Sequence, residues 1–327
     1  MTTTTVFYSE VNGHAKLSSI EPLGHERAAC KLIYLDEGGA NLVFSFSEAL
    51  TLPVRLKGRL LRLRKDLRHV QTAKEQLQAF EQNFKDLFPP QNLVEHELIQ
   101  LDEGIPYVVN EALKKLNRPS HRGQDFLAQD ERHGLLVTDM TPKVGDILLQ
   151  LKPKWLAQSP NAPPNSKRCR TCALRAQRAS SQIRTATDAQ ASCPLELVSE
   201  HQDDRRRAAV SLTTDRRLQD YLITSAQPLL RTLCESQHFL DKKGILQASD
   251  ADTILDLCKA MTLRDCTLFI KRTGSAIEAR LGDLDLKQPD RLGKWKQAEQ
   301  SLVREGWYGN SEAKEIWVRE TICLLSR

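Results

Sequence analysis

The sequence predicts an α+β protein in two parts, a strand-rich first half and a helix-rich second half that ends with a late pair of strands. Three observations carry this prediction. Short apolar runs bounded by turn residues, which are typical of strands, occur mainly before residue 152. Apolar residues spaced by three and four, which indicate helices, dominate after residue 200. Between them, residues 157–192 are rich in Pro, Ser and Asn, which indicates a flexible basic loop.

The first half begins with a predicted β-hairpin, in which residues 32–34 and 41–46 are strands joined by a glycine turn. Three further strands are predicted at residues 59–64 (RLLRLR), 134–137 (GLLV) and 146–151 (DILLQL). Residues 65–87 carry one apolar stripe at helical spacing, and the pair Pro89-Pro90 ends that helix.

The second half is predicted to be mainly helical. Residues 207–234 and 250–261 have apolar side chains at helical spacing. Residues 267–270 (TLFI) and 277–286 (IEARLGDLDL) then return to strand patterns, and residues 297–305 are expected to form a final helix.

Composition excludes several classes of protein. With 327 residues, 40% hydrophobic and 27% charged, the chain can bury an ordinary core. It has no run of 18 apolar residues, so we expect no membrane insertion, and its start does not match a secretory signal. In the reducing compartment that this implies, the eight cysteines are expected to be free thiols.

Positive charge is concentrated in two runs, although the net charge is only +5. Residues 147–187 contain eight basic residues and no acid, and residues 57–68 contain six basic residues and one acid. Such runs attract anions, which include nucleic acid, acidic lipid headgroups and phosphorylated small molecules. A solvated loop is the alternative interpretation of each run.

Two motifs could bind phosphate. Gly38 and Gly39 form a turn between two predicted strands, where backbone N–H groups can bind an anion, although a plain hairpin turn is the commoner reason for this pair. Lys152 and Lys154 flank Pro153, and on a strand their side chains would lie side by side on one face. They would then repel each other unless an anion lay between them, and a solvated strand end is the alternative.

Two aspartates are candidates for phosphoryl-transfer chemistry. Asp265 precedes one late strand and Asp283 follows the next, so a strand–turn–strand unit separates them. In kinases, one aspartate orients the acceptor hydroxyl and another, at the end of a later strand, binds Mg²⁺. A turn or capping role is the commoner fate of an aspartate in a loop.

The pair Cys169-x-x-Cys172 lacks a recognisable partner pair. Zinc sites need four ligands, and Cys193 and His201 follow at no recognised spacing. A redox motif is the alternative, but no thioredoxin-like context surrounds the pair.

Eight sequence words together resemble the inositol-pentakisphosphate 2-kinase family, and two of them, KPKWL and CRTCALR, are similar to its fungal branch. They occur in the family's order and span nearly the whole chain: EGGANLVFSF (37–46), RPSHR (118–122), LLVTDM (135–140), LQLKPKWL (149–156), CRTCALR (169–175), CPLELVS (193–199), MTLRDCTLFI (261–270) and GDLDLK (282–287).

The resemblance implies a two-lobed inositol-phosphate kinase-like fold with an ATP cleft between a strand-rich N-lobe (1–140) and a helix-rich C-lobe (141–327). It implies ATP- and Mg²⁺-dependent phosphorylation of the 2-hydroxyl of inositol 1,3,4,5,6-pentakisphosphate, which gives inositol hexakisphosphate (phytate). Five phosphates bring roughly −8 to −10 of charge, so the substrate needs many Lys and Arg contacts. The acid-free run at residues 147–187 can supply them.

The resemblance also assigns roles to single residues. Asp265 would be the catalytic base, Lys152 would contact phosphates near the transfer site, and Asp283 would bind Mg²⁺. The residues that would contact ATP are Gly38, Gly39, Ala40 and Asn41 over its phosphates, Arg62 reaching those phosphates, and Thr138, Asp139 and Met140 beside adenine. The residues that would contact the inositol phosphate are Arg122, Lys154, Arg178, Lys287, Arg291 and Trp295.

One departure from the family concerns a metal site. Plant and animal members carry a Cys/His zinc cluster in the C-lobe, and its ligands are not recognisable here, so we expect no structural zinc. The basic cluster at residues 167–170 and the family together indicate the nucleus and/or the cytoplasm. We expect a monomer.

A non-catalytic polyanion-binding protein, for nucleic acid or inositol phosphate, is the alternative function. No nucleic-acid-binding module is recognisable, and aromatic residues are only 6% of the chain. We therefore expect inositol pentakisphosphate, and no specific nucleic acid, as the partner.

Overall fold

The computed structural model describes residues 3–22, 27–47, 52–68, 70–180, 192–309 and 323–327. The chain divides into two units. The first consists of Met1–Gln82 and Val94–Met140, and the second of Asn83–Leu93 and Thr141–Arg327. The described residues are mixed α and β, as the sequence predicts. Among them, no helix is both long enough and apolar enough to cross a membrane.

Seven strands of the first unit form a closed barrel in the order β1-β2-β6-β7-β5-β4-β3. Their bounds are β1 Thr3–Val11, β2 His14–Ser18, β3 Arg27–Glu37, β4 Asn41–Ser47, β5 Arg59–Arg64, β6 His96–Leu101 and β7 His133–Thr138. The unit also contains α2, Gly104–Leu113, and most of α1, Ala73–Asn83. Alternate side chains of the strands fill the interior, among them Val6, Leu17, Leu32, Leu42, Leu61 and Leu136. Closure leaves no unpaired edge between these strands.

The predicted hairpin and the strand at residues 59–64 are confirmed. β3 pairs antiparallel with β4, with Leu32 opposite Phe46, and β5 lies between β4 and β7. The predicted helix over residues 65–87 is wrong at its start. Lys65 instead forms a bridge with Leu127, and α1 begins only at Ala73. Thr72 starts the helix because its N–H and its hydroxyl both donate to Glu75 Oε2, at 2.8 and 2.9 Å.

The second unit contains a three-stranded antiparallel sheet in the order β10-β9-β8 together with several helices. The strands are β8 Ile147–Leu151, β9 Thr267–Thr273 and β10 Ala276–Gly282. The helices are α3 Arg170–Ser180, α4 Gln202–Leu212, α5 Arg216–Ile223, α6 Gln227–Phe239, α7 Ala251–Leu263 and α8 Leu292–Arg304. The predicted strands at 146–151, 267–270 and 277–286 therefore occur, although the last ends at Gly282.

The sheet register determines which loops meet. Leu151, the last residue of β8, lies opposite Leu268, and Thr267, the first residue of β9, lies opposite Gly282, the last of β10. The chain segments after β8, before β9 and after β10 therefore leave the sheet at the same end. Those segments carry the two lysines and the two aspartates that the sequence analysis singled out.

The prediction of a loop over residues 157–192 is wrong in part, because α3 lies within it, while residues 181–191 fall outside the described part of the chain. Apart from Arg170, the buried face of α3 consists of small side chains such as Ala173 and Ala176, which pack against Leu302 and Tyr308. Small residues do not produce the leucine-type stripe on which a helix prediction depends. Within residues 157–192, all the Pro and Asn residues lie before α3.

Candidate functional site

Three lysines converge on the carboxylate of Asp265 at the end of the second unit's sheet. Lys287 Nζ lies 2.8 Å from Oδ2, and Lys154 and Lys152 Nζ lie 3.2 and 3.4 Å from Oδ1. Lys152 Nζ also donates to the Asp265 carbonyl oxygen at 2.8 Å. Each of these side chains is about 40% exposed, so solvent and solutes can reach the cluster. We call these four residues the lysine–aspartate cluster.

The electrostatics of the cluster favour the ionised carboxylate. Partial burial alone would raise the pKa of Asp265, but the hydrogen bond from Lys287 and the charges of Lys152 and Lys154 outweigh it. The pKa of Asp265 is therefore held well below its ordinary value. Three ammonium groups around one carboxylate leave a net positive charge, which suits a polyanionic ligand.

Lys152 and Lys154 lie on irregular backbone after β8 and not on a strand, which corrects the prediction. β8 ends at Leu151, and Lys154 has a left-handed backbone with φ of +62°. This conformation is uncommon for a residue with a side chain. The two lysines do lie side by side, as expected, and the anion between them is Asp265.

Asp283 occupies a second left-handed position, with φ of +56°, directly after β10. Its Oδ2 accepts a hydrogen bond from the Thr267 hydroxyl, and Thr267 is buried at the start of β9. The carboxylate of Asp283 is thus exposed but held in one orientation. Unusual backbone conformations of this kind concentrate at functional sites. Its exposed carboxylate oxygens are the ligand type that Mg²⁺ prefers.

A group of buried polar residues lies next to the lysine–aspartate cluster. Arg264, the neighbour of Asp265, forms an ion pair with Asp241 at 2.7 Å, with side chains only 3% and 4% exposed. Two guanidinium groups lie against the Trp155 ring, with Cζ of Arg264 at 3.4 Å and Cζ of Arg170 at 4.3 Å from the ring centroid. Arg170 in turn pairs with the fully buried Glu299 at 2.7 Å. Burial lowers the pKa of Arg264 to about 10.

Gln237 on α6 connects the two chain segments of the cluster. Its fully buried amide donates to the Lys154 carbonyl at 2.9 Å and to the Leu263 carbonyl at 3.2 Å. Its side-chain oxygen accepts from the Leu156 N–H at 3.0 Å. The sequence analysis missed Gln237, Arg264 and Trp155 as positioning residues, because their partners lie far away along the chain and no spacing rule marks them.

The other predicted substrate residues of this unit do not contact Asp265. Arg291 is exposed at the start of α8, and Arg178 is exposed on α3. Trp295 is half-buried on α8, where it packs against the apolar group that contains Trp155. Their predicted contacts with inositol phosphate stay predictions.

In the first unit, the glycine turn joins β3 and β4 as a hairpin. A plain hairpin turn is the commoner reason for this glycine pair, and an anion-binding turn is the other interpretation. The Gly38 N–H donates to the Asn41 carbonyl at 2.9 Å. A side chain at Gly38 or Gly39 would meet open space, so there is room above the turn. The Asn41 amide oxygen, oriented as an acceptor, lies 2.5 and 3.1 Å from Nη2 and Nε of the buried Arg62. Among the residues predicted to lie beside adenine, the Asp139 N–H donates to the Gly58 carbonyl oxygen at 2.9 Å, and Met140 is buried.

Glu37, directly before the glycine turn, is the centre of a buried ion network. Its carboxylate receives a bidentate contact from Arg118 at 2.8 and 2.7 Å and an ammonium from Lys65 at 2.6 Å. Its carbonyl oxygen accepts from Arg122. Arg122, a predicted substrate residue, is therefore hydrogen-bonded to the residue directly before the glycine turn. Burial would raise the pKa of Glu37, but the bonds from Arg118, Lys65 and Tyr34 lower it to about 2.

This network gives a pH-dependent expectation. The pKa of Glu37 falls from 4.5 to about 2 on folding, so its stabilisation is complete above pH 4.5 and is lost as the pH falls towards 2. We expect Glu37→Gln to lower stability at neutral pH and to flatten the loss of stability in that acid range. Urea unfolding across the range tests this, with Glu111→Gln, which removes only an exposed pair with Lys114, as the control. Parallel stability curves for the wild type and Glu37→Gln would contradict it.

Four buried cysteines form a candidate metal centre in the second unit. The sulfurs of Cys169, Cys172, Cys193 and Cys323 all lie within 4.8 Å of one another. The expectation of no structural zinc rested on the family's Cys/His cluster, whose ligands are not recognisable in this sequence. Folding nevertheless brings Cys193 and Cys323, from distant parts of the chain, next to the Cys169–Cys172 pair.

Comparisons with known proteins identify the family of this chain. The family model for inositol-pentakisphosphate 2-kinase matches residues 34–251 and 216–301. The inositol-pentakisphosphate 2-kinase of Yarrowia lipolytica (strain CLIB 122 / E 150) is 32% identical over 170 residues. That match covers 49% of this chain and 53% of the relative, so the chain spans about half the length of the curated relative it matches. Because the family model covers most of the sequence, this chain belongs to the inositol-pentakisphosphate 2-kinase family.

Proposed function

We propose that this chain is an ATP-dependent kinase that phosphorylates the 2-hydroxyl of inositol 1,3,4,5,6-pentakisphosphate and forms inositol hexakisphosphate. The observation that carries the proposal is the convergence of Lys152, Lys154 and Lys287 on Asp265. A substrate with roughly −8 to −10 of charge needs such a group of cations. A carboxylate among them can accept the proton of the attacking hydroxyl.

The lysines link substrate binding to the basicity of Asp265. Phosphates brought to the three ammonium groups compete with the carboxylate for them. Each lysine that turns to a phosphate weakens the interaction that keeps the pKa of Asp265 low, so this pKa rises when the acceptor binds. A base with a higher pKa accepts the hydroxyl proton more readily. In this proposal Lys154 and Lys287 hold the inositol phosphate and Lys152 lies nearest the transferred group.

Asp283 is the residue that would bind Mg²⁺ in this unit. The ion would neutralise charge on the phosphates of ATP during transfer. Asp283 fits the role because it is exposed and because Thr267 fixes its orientation. It lies directly after β10, and its backbone there is left-handed.

In the first unit, the proposed nucleotide residues are those of the glycine turn and its neighbours. Gly38, Gly39, Ala40 and Asn41 would cover the ATP phosphates, with Arg62 reaching them and held by Asn41. Asp139 and Met140 would contact adenine. Arg122 would contact the inositol phosphate. The Glu37 network supports these assignments because it holds the turn and Arg122 to the barrel.

A direct assay tests the proposed function. Purified protein is incubated with Mg-ATP and inositol 1,3,4,5,6-pentakisphosphate, and inositol hexakisphosphate is measured by anion-exchange chromatography. We expect product with the wild type and its loss with Asp283→Asn, while Asp256→Asn, an exposed aspartate paired with Lys259 on α7, retains activity. Folded wild-type protein that binds inositol pentakisphosphate without forming product would instead support the non-catalytic alternative.

A further inference from the structure

The four cysteines of the second unit come from three separate segments of the chain. Cys169 and Cys172 lie at the start of α3, Cys193 precedes a short helical turn at Pro194–Val198, and Cys323 lies near the C-terminal end. All four side chains are nearly inaccessible, with exposures of 0–2%. Leu195 and Leu324 pack against them, so the sulfurs lie in apolar surroundings.

The spacing of the sulfurs fits one tetrahedral ion. Cys193 Sγ lies 3.7 Å from Cys169 Sγ and 3.7 Å from Cys323 Sγ. Sulfurs at about 2.3 Å from a tetrahedral zinc ion are about 3.8 Å apart. A disulfide needs about 2.05 Å, and all four thiols are free. An iron–sulfur cluster inserts several atoms between its ligands and would hold the cysteine sulfurs farther apart.

The surroundings of the sulfurs suit thiolates. The Cys169 N–H donates to Cys323 Sγ at 3.1 Å, and the Cys172 N–H donates to Cys169 Sγ at 3.5 Å. Cys172 also lies in the first turn of α3, where the helix dipole favours negative charge. Arg168, next to Cys169, is a fully buried cation that donates to the Trp307 carbonyl at 3.0 Å. Four thiolates and one divalent ion carry a net charge of about −2, which this cation partly offsets.

We propose that Cys169, Cys172, Cys193 and Cys323 bind one zinc ion, which fastens the C-terminal end of the chain to α3. Four sulfur ligands in a closed tetrahedron are typical of structural zinc, which stabilises a fold and performs no catalysis. Arg327 forms a second contact between the same parts of the chain, because its Nη1 lies 2.8 Å from the carboxylate of the buried Glu196. The inference goes beyond the proposed kinase function, and it replaces the expectation of no structural zinc.

The first test measures the metal without reference to activity. The full chain is purified without chelators, and its metal content is determined by elemental mass spectrometry. We expect about one zinc per chain, and we expect cobalt exchanged into the site to give the intense absorption of tetrahedral cobalt thiolates. Iron in place of zinc, or no metal together with disulfides detected by mass spectrometry, would overturn the proposal.

The second test uses matched cysteine variants. We expect Cys323→Ser to release zinc to a chromogenic chelator at least about tenfold faster than wild type, because one of four ligands is lost. Cys258→Ser changes an equally buried cysteine on α7 outside the group and should keep its zinc. If Cys323→Ser does not fold, the test is made on the wild type by removing zinc with a chelator. We expect the thermal midpoint of unfolding to fall after chelation and to recover when zinc is added back. Equal zinc retention in both variants would contradict the proposal, as would a midpoint that chelation does not change.

Discussion

Replacing Asp265 with asparagine is expected to lower kcat by about 10²–10⁴-fold, the usual contribution of a positioned general base. The same change should tighten the binding of inositol pentakisphosphate. Asp265 competes with phosphates for Lys152, Lys154 and Lys287, and asparagine removes that competing negative charge. Initial rates together with calorimetric titration of the acceptor measure both effects.

The opposite signs of these two effects separate the proposal from simple damage to the site. A misfolded or displaced loop would weaken binding and turnover together. Lys154→Met should weaken acceptor binding, while Lys259→Met, which removes a lysine paired with Asp256 on α7, should leave it unchanged. An Asp265→Asn protein that turned over at the wild-type rate would eliminate Asp265 as the base.

Replacing Arg264 with methionine is expected to destabilise the protein by about 3–5 kcal/mol. The change leaves the Asp241 carboxylate buried without the guanidinium 2.7 Å away, and removing one partner of a buried ion pair has a cost of this order. It also removes the contact with the Trp155 ring. Because Arg264 precedes Asp265, kcat should fall as well. Urea unfolding and initial rates test both expectations.

Two companion variants separate the ion pair from general loss of packing. Asp241→Asn combined with Arg264→Met should recover part of the lost stability, because no buried charge is left unpaired. Arg231→Met should change stability by only about 0–1 kcal/mol, because its pair with Glu200 is exposed. Equal free energies of unfolding for Arg264→Met and Arg231→Met would contradict the role of the buried pair.

Local patterns predict much of this fold. The hairpin of β3 and β4, the strand β5 and the late strands β9 and β10 each follow from short runs of apolar residues between turns. The strands β1, β2 and β6, the helices α2 and α3 and the start of α1 did not follow. In α3 the buried face is made of small side chains apart from Arg170, and at Lys65 a long-range bridge to Leu127 replaces the helix that the apolar stripe indicated. Tertiary contacts of this kind override local propensity.

The candidate site divides in the same way. Lys152, Lys154, Asp265 and Lys287 were named from sequence words, and the sheet register explains why they meet. Gln237, Arg264 and the cysteine group depend on contacts between residues 23 to 154 positions apart. Cys323 lies 130 positions beyond Cys193, so no spacing rule for zinc ligands connects them.

The most direct test of the central claim is a crystal structure of the chain with inositol 1,3,4,5,6-pentakisphosphate bound. We expect Lys154 and Lys287 to donate to phosphate oxygens, and the 2-hydroxyl to lie about 2.6–3.2 Å from an Asp265 carboxylate oxygen. In that structure the lysines should have moved from the carboxylate towards the phosphates. An acceptor bound elsewhere, with the lysine–aspartate cluster unchanged, would contradict the assignment of this cluster as the acceptor site.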